Sequence, residues 1–106
     1  MFKLILTGAL GQDAEVKEIG NNKLIVFNVA VSMDYRDSSD NKVEKTEWIK
    51  AQLWKSKSQS IKVAEYLKKG KKVLIEGIPS SEGYKNKNDE IKSNLVVNVR
   101  ELELLN

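Results

Sequence analysis

Cysteine and histidine are both absent from this sequence. Without thiol or imidazole groups, the chain cannot form disulfides, thiolate or imidazole metal sites, cysteine nucleophiles or histidine-based catalytic pairs. Most enzyme classes lose their usual functional groups in this way. We therefore predict a protein that is not an enzyme and that carries no cofactor and no metal.

A strong charge of one sign is also missing, because 18 basic residues are set against 15 acidic ones for a net charge of +3. This balance permits a polyanionic partner without requiring one. Only Arg36 and Arg100 are arginines, so the basic residues are nearly all lysine. Lysine acts on phosphate as a point charge, whereas bidentate reading of guanine is mostly an arginine task. Any nucleic-acid role is therefore expected to rest on backbone contacts without sequence choice.

Long hydrophobic runs are missing as well. The N-terminal stretch MFKLILTGAL is interrupted by Lys3, Thr7 and Gly8, and no small-residue cleavage pattern follows it, so we expect neither a signal peptide nor a membrane span. Small secreted proteins often use disulfides, which makes a cytoplasmic location the expectation here. With 41% hydrophobic residues, the chain fits one compact domain over residues 1–106.

Alternating apolar and polar residues predict five strands, in residues 2–19 with a bend, 23–33, 46–54, 71–79 and 91–105. Residues 34–45 and 80–90 are polar and turn-rich, and the first is typical of a mobile surface loop. Between the third and fourth strands, Ile61, Ala64 and Leu67 recur at three-residue spacing before Gly70, which predicts one α-helix in residues 57–69. This order is that of the all-β OB-fold, a five-stranded Greek-key barrel that binds oligonucleotides on one sheet face.

The third strand, TEWIKAQLW, holds both tryptophans of the chain. Because strand side chains alternate, Trp48, Lys50 and Trp54 share one face, while Ile49 and Leu53 share the other face, which we expect to be the core side. The indole rings can cover a second layer, formed by the helix or a partner subunit, or they can serve as a stacking platform for bases. A lysine between the rings favours stacking.

Two tyrosines lie in the polar connections, where a core role is not expected. Tyr35 lies with Arg36 at the base of the first connection, and Tyr84 is followed by Lys85 and Lys87 in the second. Rings among cations suit a single-stranded nucleic acid, since bases stack on the rings and the cations follow the phosphates.

The stretches GALGQDAEV, FNVAVS, KTEWI, AEYLKKGKKVLIEG and VVNV resemble, in order and spacing, the bacterial single-stranded DNA-binding protein family. The resemblance covers essentially the whole chain. It implies an OB-fold and the sequence-independent binding and protection of single-stranded DNA during replication, recombination or repair. It also implies a homotetramer, with a dimer possible, and a cytoplasmic, nucleoid-associated location.

The resemblance also implies roles for individual residues. Trp48 and Trp54 fall where the family places stacking rings on the third strand, and Tyr35 and Tyr84 where it often has a ring in its two long hairpins. Three lysines match basic positions of the family that would contact phosphate. The predicted DNA-binding residues are Trp48, Trp54, Tyr35, Tyr84, Lys50, Lys3, Lys69, Arg36, Lys85 and Lys87. Family members usually end in an acidic tail that recruits replication proteins, and this sequence stops at ELELLN, so recruitment by that route is not expected.

Two alternatives stay open. One is a tailless, primosome-type dimer that mainly bridges other proteins. The other is a metal-dependent nuclease, for which Asp34, Asp37 and Asp40, or Asp89 and Glu90, are the dense acidic groups. Both groups lie in loops without a fixed metal-ligand spacing, which favours solvated loop charges.

Overall fold

The computed structural model describes residues 1–105, which form a mostly β structure. This confirms the all-β prediction at the level of secondary structure. In this part of the chain, no helix is long and apolar enough to cross a membrane. The strands are β1 (Leu4–Leu10), β2 (Glu15–Ile19), β3 (Asn22–Ser32), β4 (Tyr35–Arg36), β5 (Lys42–Val43), β6 (Thr46–Ser56), β7 (Lys72–Lys85) and β8 (Ile91–Leu104).

The pairing of the five long strands is closed, because the first and last strands in the order β1-β7-β8-β6-β3 also pair with each other. β1 pairs antiparallel with β7, β7 pairs antiparallel with β8, and β8 runs parallel to β6. β6 pairs along its whole length with β3, and β3 in turn pairs with β1 through Ala9 and Leu10. β2 pairs with residues 22–26 of β3, on the same edge of β3 as β1. The five long strands therefore form a continuous ring of pairings with one inner and one outer surface.

The inner surface is the hydrophobic core, and it follows the predicted alternation. Ile25, Phe27 and Val29 of β3 are buried, as are Ile49 and Leu53 of β6. Removal of these aliphatic and aromatic side chains from water stabilises the fold, at about 25 cal/mol per Å² of apolar surface. Since side chains alternate along β6, burial of one set fixes the other set on the outer surface.

The α-helix predicted for residues 57–69 is not confirmed. The segment contains a 3₁₀-helix of five residues, Lys62–Tyr66. The backbone N–H groups of Ala64 and Leu67 donate to carbonyls three residues earlier, at 3.0 and 3.2 Å. The physical reason lies in the spacing, because apolar residues at Ile61, Ala64 and Leu67 fit 3.0 residues per turn better than 3.6. Leu67 still anchors the segment, since it is fully buried in the core.

Both polar connections are hairpins with hydrogen-bonded tips. The first contains the short pair β4–β5, and in the second β7 and β8 stay paired out to Lys85 and Ile91. The two tips, residues 37–41 and 86–90, share one construction. In each tip the side-chain oxygen of the first residue accepts the backbone N–H groups of the third and fifth, at 2.9 to 3.0 Å. The fourth residue, Asp40 or Asp89, has a left-handed φ of 61°.

Candidate functional site

Both tryptophans stand on the outer surface of β6. Trp48 is 58% exposed and Trp54 is 45% exposed, whereas Ile49 and Leu53 between them are buried. The two indoles are six residues apart, which corresponds to about 20 Å along a strand. The face assignment made from the sequence is therefore confirmed, and the functional role of the rings stays a prediction.

Trp48 lies over a row of small residues on neighbouring strands. Ala30 of β3 is directly opposite Trp48, and Ala9 of β1 is directly opposite Ala30. The indole reaches across this row as far as Gly11, where a β-carbon would lie 2.5 Å from ring atom Cζ3. Because the side chains in this row are small, the indole can lie flat against the sheet while more than half of its surface faces solvent.

Trp54 occupies a different setting at the other end of β6. Leu24 of β3 is directly opposite it and is buried. Since directly opposed residues project from the same face of a sheet, the indole lies beside this leucine. One side of Trp54 is thus supported by an apolar neighbour, and the rest of the ring faces solvent.

Lys50 lies between the two rings on the same face. Its direct neighbours are Asn28 on β3 and Val96 on β8. Its Nζ atom lies 3.9 Å from the Oε1 atom of Glu82, which belongs to β7. The cation predicted to contact phosphate is therefore ion-paired with a carboxylate in the free protein.

The two hairpins each carry one predicted ring and one predicted cation at the base of the tip. Tyr35 and Tyr84 are both exposed and both lie two residues before the first tip residue. Arg36 and Lys85 follow them, and each pairs with the acid four residues later: Arg36 Nη1 lies 3.7 Å from an oxygen of Asp40, and Lys85 Nζ lies 3.6 Å from one of Asp89. Lys87 lies within the second tip.

Lys3 and Lys69 lie at opposite ends of β1. Lys3 precedes β1 and pairs with Glu76 of β7 at 3.1 Å. Lys69 lies near the opposite end of β1, where its backbone N–H donates to Asp13 Oδ1 at 2.8 Å and the next residue, Gly70, bonds to the carbonyl of Leu10. The length of β1 therefore separates these two lysines by about 20 Å.

Sequence reasoning missed three features of this surface. The sequence indicated only that Gly11 lies at a bend, and no neighbouring residue in the sequence shows that it makes room for Trp48. The pairing of Lys50 with Glu82 joins residues 32 positions apart on strands separated by β8, so no short motif could disclose it. Tyr66 is 54% exposed on the 3₁₀-helix, three residues before Lys69, and its place in AEYLKKG gave no indication of this exposure.

The acidic loop residues do not form a metal site in the structure. Within residues 1–105, no three acidic side chains lie together in a way that could hold a metal ion. Asp37 is used differently, since its Oδ1 atom accepts the backbone N–H groups of Ser39 and Asn41. Asp34 Oδ1 accepts the N–H of Lys45 at 3.0 Å, at the base of the same hairpin.

Comparison with known proteins identifies relatives over the whole described chain. A family model described as "Single-strand binding protein family" matches residues 1–105. Single-stranded DNA-binding protein 1 of Chlorobaculum tepidum is 42% identical over 76 residues, which cover 71% of this chain and 46% of that protein. The single-stranded DNA-binding protein of Neisseria meningitidis serogroup A is 32% identical over 104 residues, covering 97% of this chain and 59% of that protein. The chain thus spans about half the length of the curated relatives it matches.

Solved structures agree on the fold. A Plasmodium falciparum SSB in complex with ssDNA has a TM-score of 0.78 at 21% identity, covering 100% of this chain and 96% of that one. A small single-stranded DNA-binding protein from Streptomyces coelicolor has a TM-score of 0.79 at 12% identity, covering 97% and 93%. At these identities, the likeness concerns the path of the backbone.

Proposed function

The chain belongs to the single-strand binding protein family, and from that premise we propose that it binds single-stranded DNA without regard to sequence. Bases stack on the exposed rings of β6 and of the two hairpins, and lysines of the same surface contact the phosphates. The activity is binding alone, so the bound strand is protected from re-annealing and from nucleases without any covalent change.

The observation that carries this proposal is the exposure of Trp48 and Trp54. Full burial of an aromatic ring removes about 150 to 250 Å² from water, so at about 25 cal/mol per Å² each of these half-exposed indoles forgoes roughly 2 to 3 kcal/mol. A stacked base restores about 1 to 3 kcal/mol of that amount, and it does so for any base because each has a flat π-face. Exposed indoles with a lysine between them therefore suit a ligand that is flat, repetitive and anionic.

We further propose that the ring of five paired strands is an OB-fold barrel. The order of the strands in the ring, with β1 paired to both β3 and β7, supports this assignment. In that fold, the face of strands 2 and 3 and the loops that join strands 1 to 2 and 4 to 5 form the ligand surface, and the hairpin of Tyr35, which joins β3 to β6, adds to it in this proposal. Trp48, Trp54 and Lys50 on β6 and the tyrosine of each hairpin occupy these places.

The proposal extends to assembly and context. We propose a homotetramer, supported by the exposed apolar residues Phe2, Ile5 and Ile78 on the β1 and β7 side of the chain. In the cell, the protein would act on single strands exposed in replication, recombination or repair. A dimeric adaptor for other proteins is the alternative, and the mass of the free and DNA-bound particles separates the two.

Alanine variants at the two tryptophans test the proposal directly. Trp48→Ala and Trp54→Ala are each expected to weaken binding of a labelled dT oligomer about ten-fold, since each removes a stacking ring. Both variants should keep the fold, as judged by circular dichroism, because about half of each ring is exposed and the core residues of β6 are unchanged. Tyr66→Ala is the matched control, since it removes an exposed ring outside the site and should leave affinity unchanged. Equal affinity in the wild type and all three variants, or equal binding of duplex DNA, contradicts the proposal.

A further inference from the structure

Most of the cations assigned to phosphate contact are already paired with acids of the same chain. In residues 1–105, four of the six lie within 4 Å of a carboxylate oxygen. The pairs are Lys3 with Glu76 at 3.1 Å, Lys85 with Asp89 at 3.6 Å, Arg36 with Asp40 at 3.7 Å and Lys50 with Glu82 at 3.9 Å. A phosphate that approaches one of these cations therefore meets an anion already in place.

The Lys50–Glu82 pair lies on the same outer surface as the indole rings of Trp48 and Trp54. Lys50 on β6 and Ser80 on β7 are both level with Val96 of the strand between them, and Glu82 lies two residues further along β7. The two side chains thus meet above β8, where Val96 is only 2% exposed. Both charged ends stay partly exposed, at 32% and 52% of the side chain, so solvent and ligand reach the pair.

The backbone of the two tips does not require an acid, although in the first tip Arg36 Nη1 also donates to the backbone carbonyl of Asp40 at 3.1 Å. A left-handed φ of 61° at Asp40 and Asp89 is satisfied by glycine, or by asparagine, without any charge. An acid at that position places its carboxylate beside the cation four residues earlier. The same arrangement occurs in both tips, although their sequences, DSSDN and NKNDE, differ.

We propose that Glu82, Asp40 and Asp89 are internal counterions that occupy the phosphate-binding cations in the free protein and are displaced by phosphates of the bound strand. This inference rests on the proposed function and adds the residues that set its strength. Each acid lowers affinity, since its cation must give up one anion to receive another. Each acid also makes binding less sensitive to salt, because a freed carboxylate remains beside the bound strand and offsets part of the counterion release.

Glu82→Gln tests the central pair, with Glu103→Gln as a control matched in charge. Glu103 is exposed, makes no ion pair in residues 1–105, and pairs with Leu74, about 26 Å along β7 from Glu82. Both variants raise the net charge by one. Exposed ion pairs change equilibrium constants by up to about five-fold, so Glu82→Gln should bind a dT oligomer about three- to five-fold more tightly than Glu103→Gln does. The slope of log affinity against log salt should steepen by at most about 0.7.

A double-mutant cycle separates direct pairing from a general charge effect. In a Lys50→Gln background, Glu82→Gln should have no more effect than Glu103→Gln. Asp89→Asn keeps a residue that tolerates the left-handed φ, and it should tighten binding only while Lys85 is present. If the wild type binds dT but Glu82→Gln and Glu103→Gln are equal, the counterion role is overturned and the proposed function stands. If the wild type does not bind dT, both fail.

Discussion

At the scale of single residues, the position and exposure of the Trp48 indole depend on the small size of the residues beneath it. Ala30 and Ala9 carry only a methyl group, and Gly11 carries no side chain where the edge of the ring lies. A larger residue in this row would lift or rotate the ring. The exposed flat face, and not merely the presence of a tryptophan, is therefore a property of four residues from three segments of the chain.

Gly11→Ala is expected to weaken DNA binding without loss of the fold. The new β-carbon would lie 2.5 Å from Cζ3 of Trp48, so the ring must shift from its position on the sheet. The shift should have little effect on the free energy of unfolding, since the contact involves the free end of an exposed side chain. We expect affinity for a dT oligomer to fall about three-fold, less than the loss from Trp48→Ala, and the tryptophan emission of the free protein to change.

The control for this prediction is the same substitution without the ring. In a Trp48→Ala background, Gly11→Ala should leave affinity unchanged, because the two changes act through one contact. Additive losses in the double variant would show that Gly11 acts on the backbone and not through the indole.

At the scale of elements, the hairpin tips are built from side-chain to backbone hydrogen bonds. Asn86 Oδ1 accepts the N–H groups of Asn88 and Glu90, at 2.9 and 3.0 Å. Such bonds let a short polar side chain stand in for backbone pairing in a tight turn. For residues 34–45, the polar, turn-rich composition indicated a mobile surface loop. Composition alone could not reveal the corresponding bonds in that tip, in which Asp37 Oδ1 accepts the N–H groups of Ser39 and Asn41.

Asn86→Ala is expected to loosen the second tip while the rest of the protein stays intact. It removes the acceptor of two hydrogen bonds, each worth about 0.5 to 1.5 kcal/mol. Amide hydrogen exchange at Asn88 and Glu90 should therefore speed up about ten-fold, and core amides such as that of Val97 should not change. Asn86→Asp keeps a side-chain oxygen acceptor and is expected to retain protection. Slow exchange in the alanine variant would contradict the assigned role of the side chain.

The elements also show which sequence patterns determine structure. Period-two alternation in β3 and β6 is a local property, and it correctly predicted which side chains of TEWIKAQLW are buried. Three-residue spacing in residues 61–67 fits a 3₁₀-helix better than an α-helix, but over about two turns the two periods differ by little, so the pattern was interpreted as an α-helix. Contacts between distant strands, such as Lys50 with Glu82, depend on the register of the sheet, which no single stretch encodes.

At the scale of the whole molecule, the outer surface divides into two kinds. The β6 side presents rings and a lysine, whereas the β1 and β7 side presents aliphatic and aromatic residues. On the latter side, Phe2 and Ile78 line a groove of about 410 Å³ together with Gly77, Arg100 and the ion pair of Lys3 with Glu76. Exposed apolar patches of this kind are typical of protein contacts. The two proposed surfaces share β7, where Ile78 belongs to the contact between subunits, and Tyr84 and Lys85, six and seven residues further along the strand, belong to the DNA surface.

Ile5→Lys and Ile78→Lys are each expected to dissociate the proposed tetramer. Both side chains are exposed in the single chain, at 59% and 42%, so a lysine there should not unfold it. In a symmetric assembly each substitution recurs in every equivalent interface, and it would bury a charge at a cost of several kcal/mol per ion. Sedimentation equilibrium should show a particle of four 12.0 kDa chains in the wild type and a smaller one in the variants.

The matched control is Ile19→Lys, which places the same charge at an isoleucine of similar exposure, 46%, on β2. Because Ile19 pairs with Asn22, at the opposite end of β3 from the residues that pair with β1, and β2 makes no pairing with β7, this variant should keep the mass of the wild type. A wild-type protein that sediments as a single chain would refute the tetramer. A wild-type tetramer unaffected by either variant would place its interfaces elsewhere, since a buried lysine pair cannot be neutral in an apolar contact.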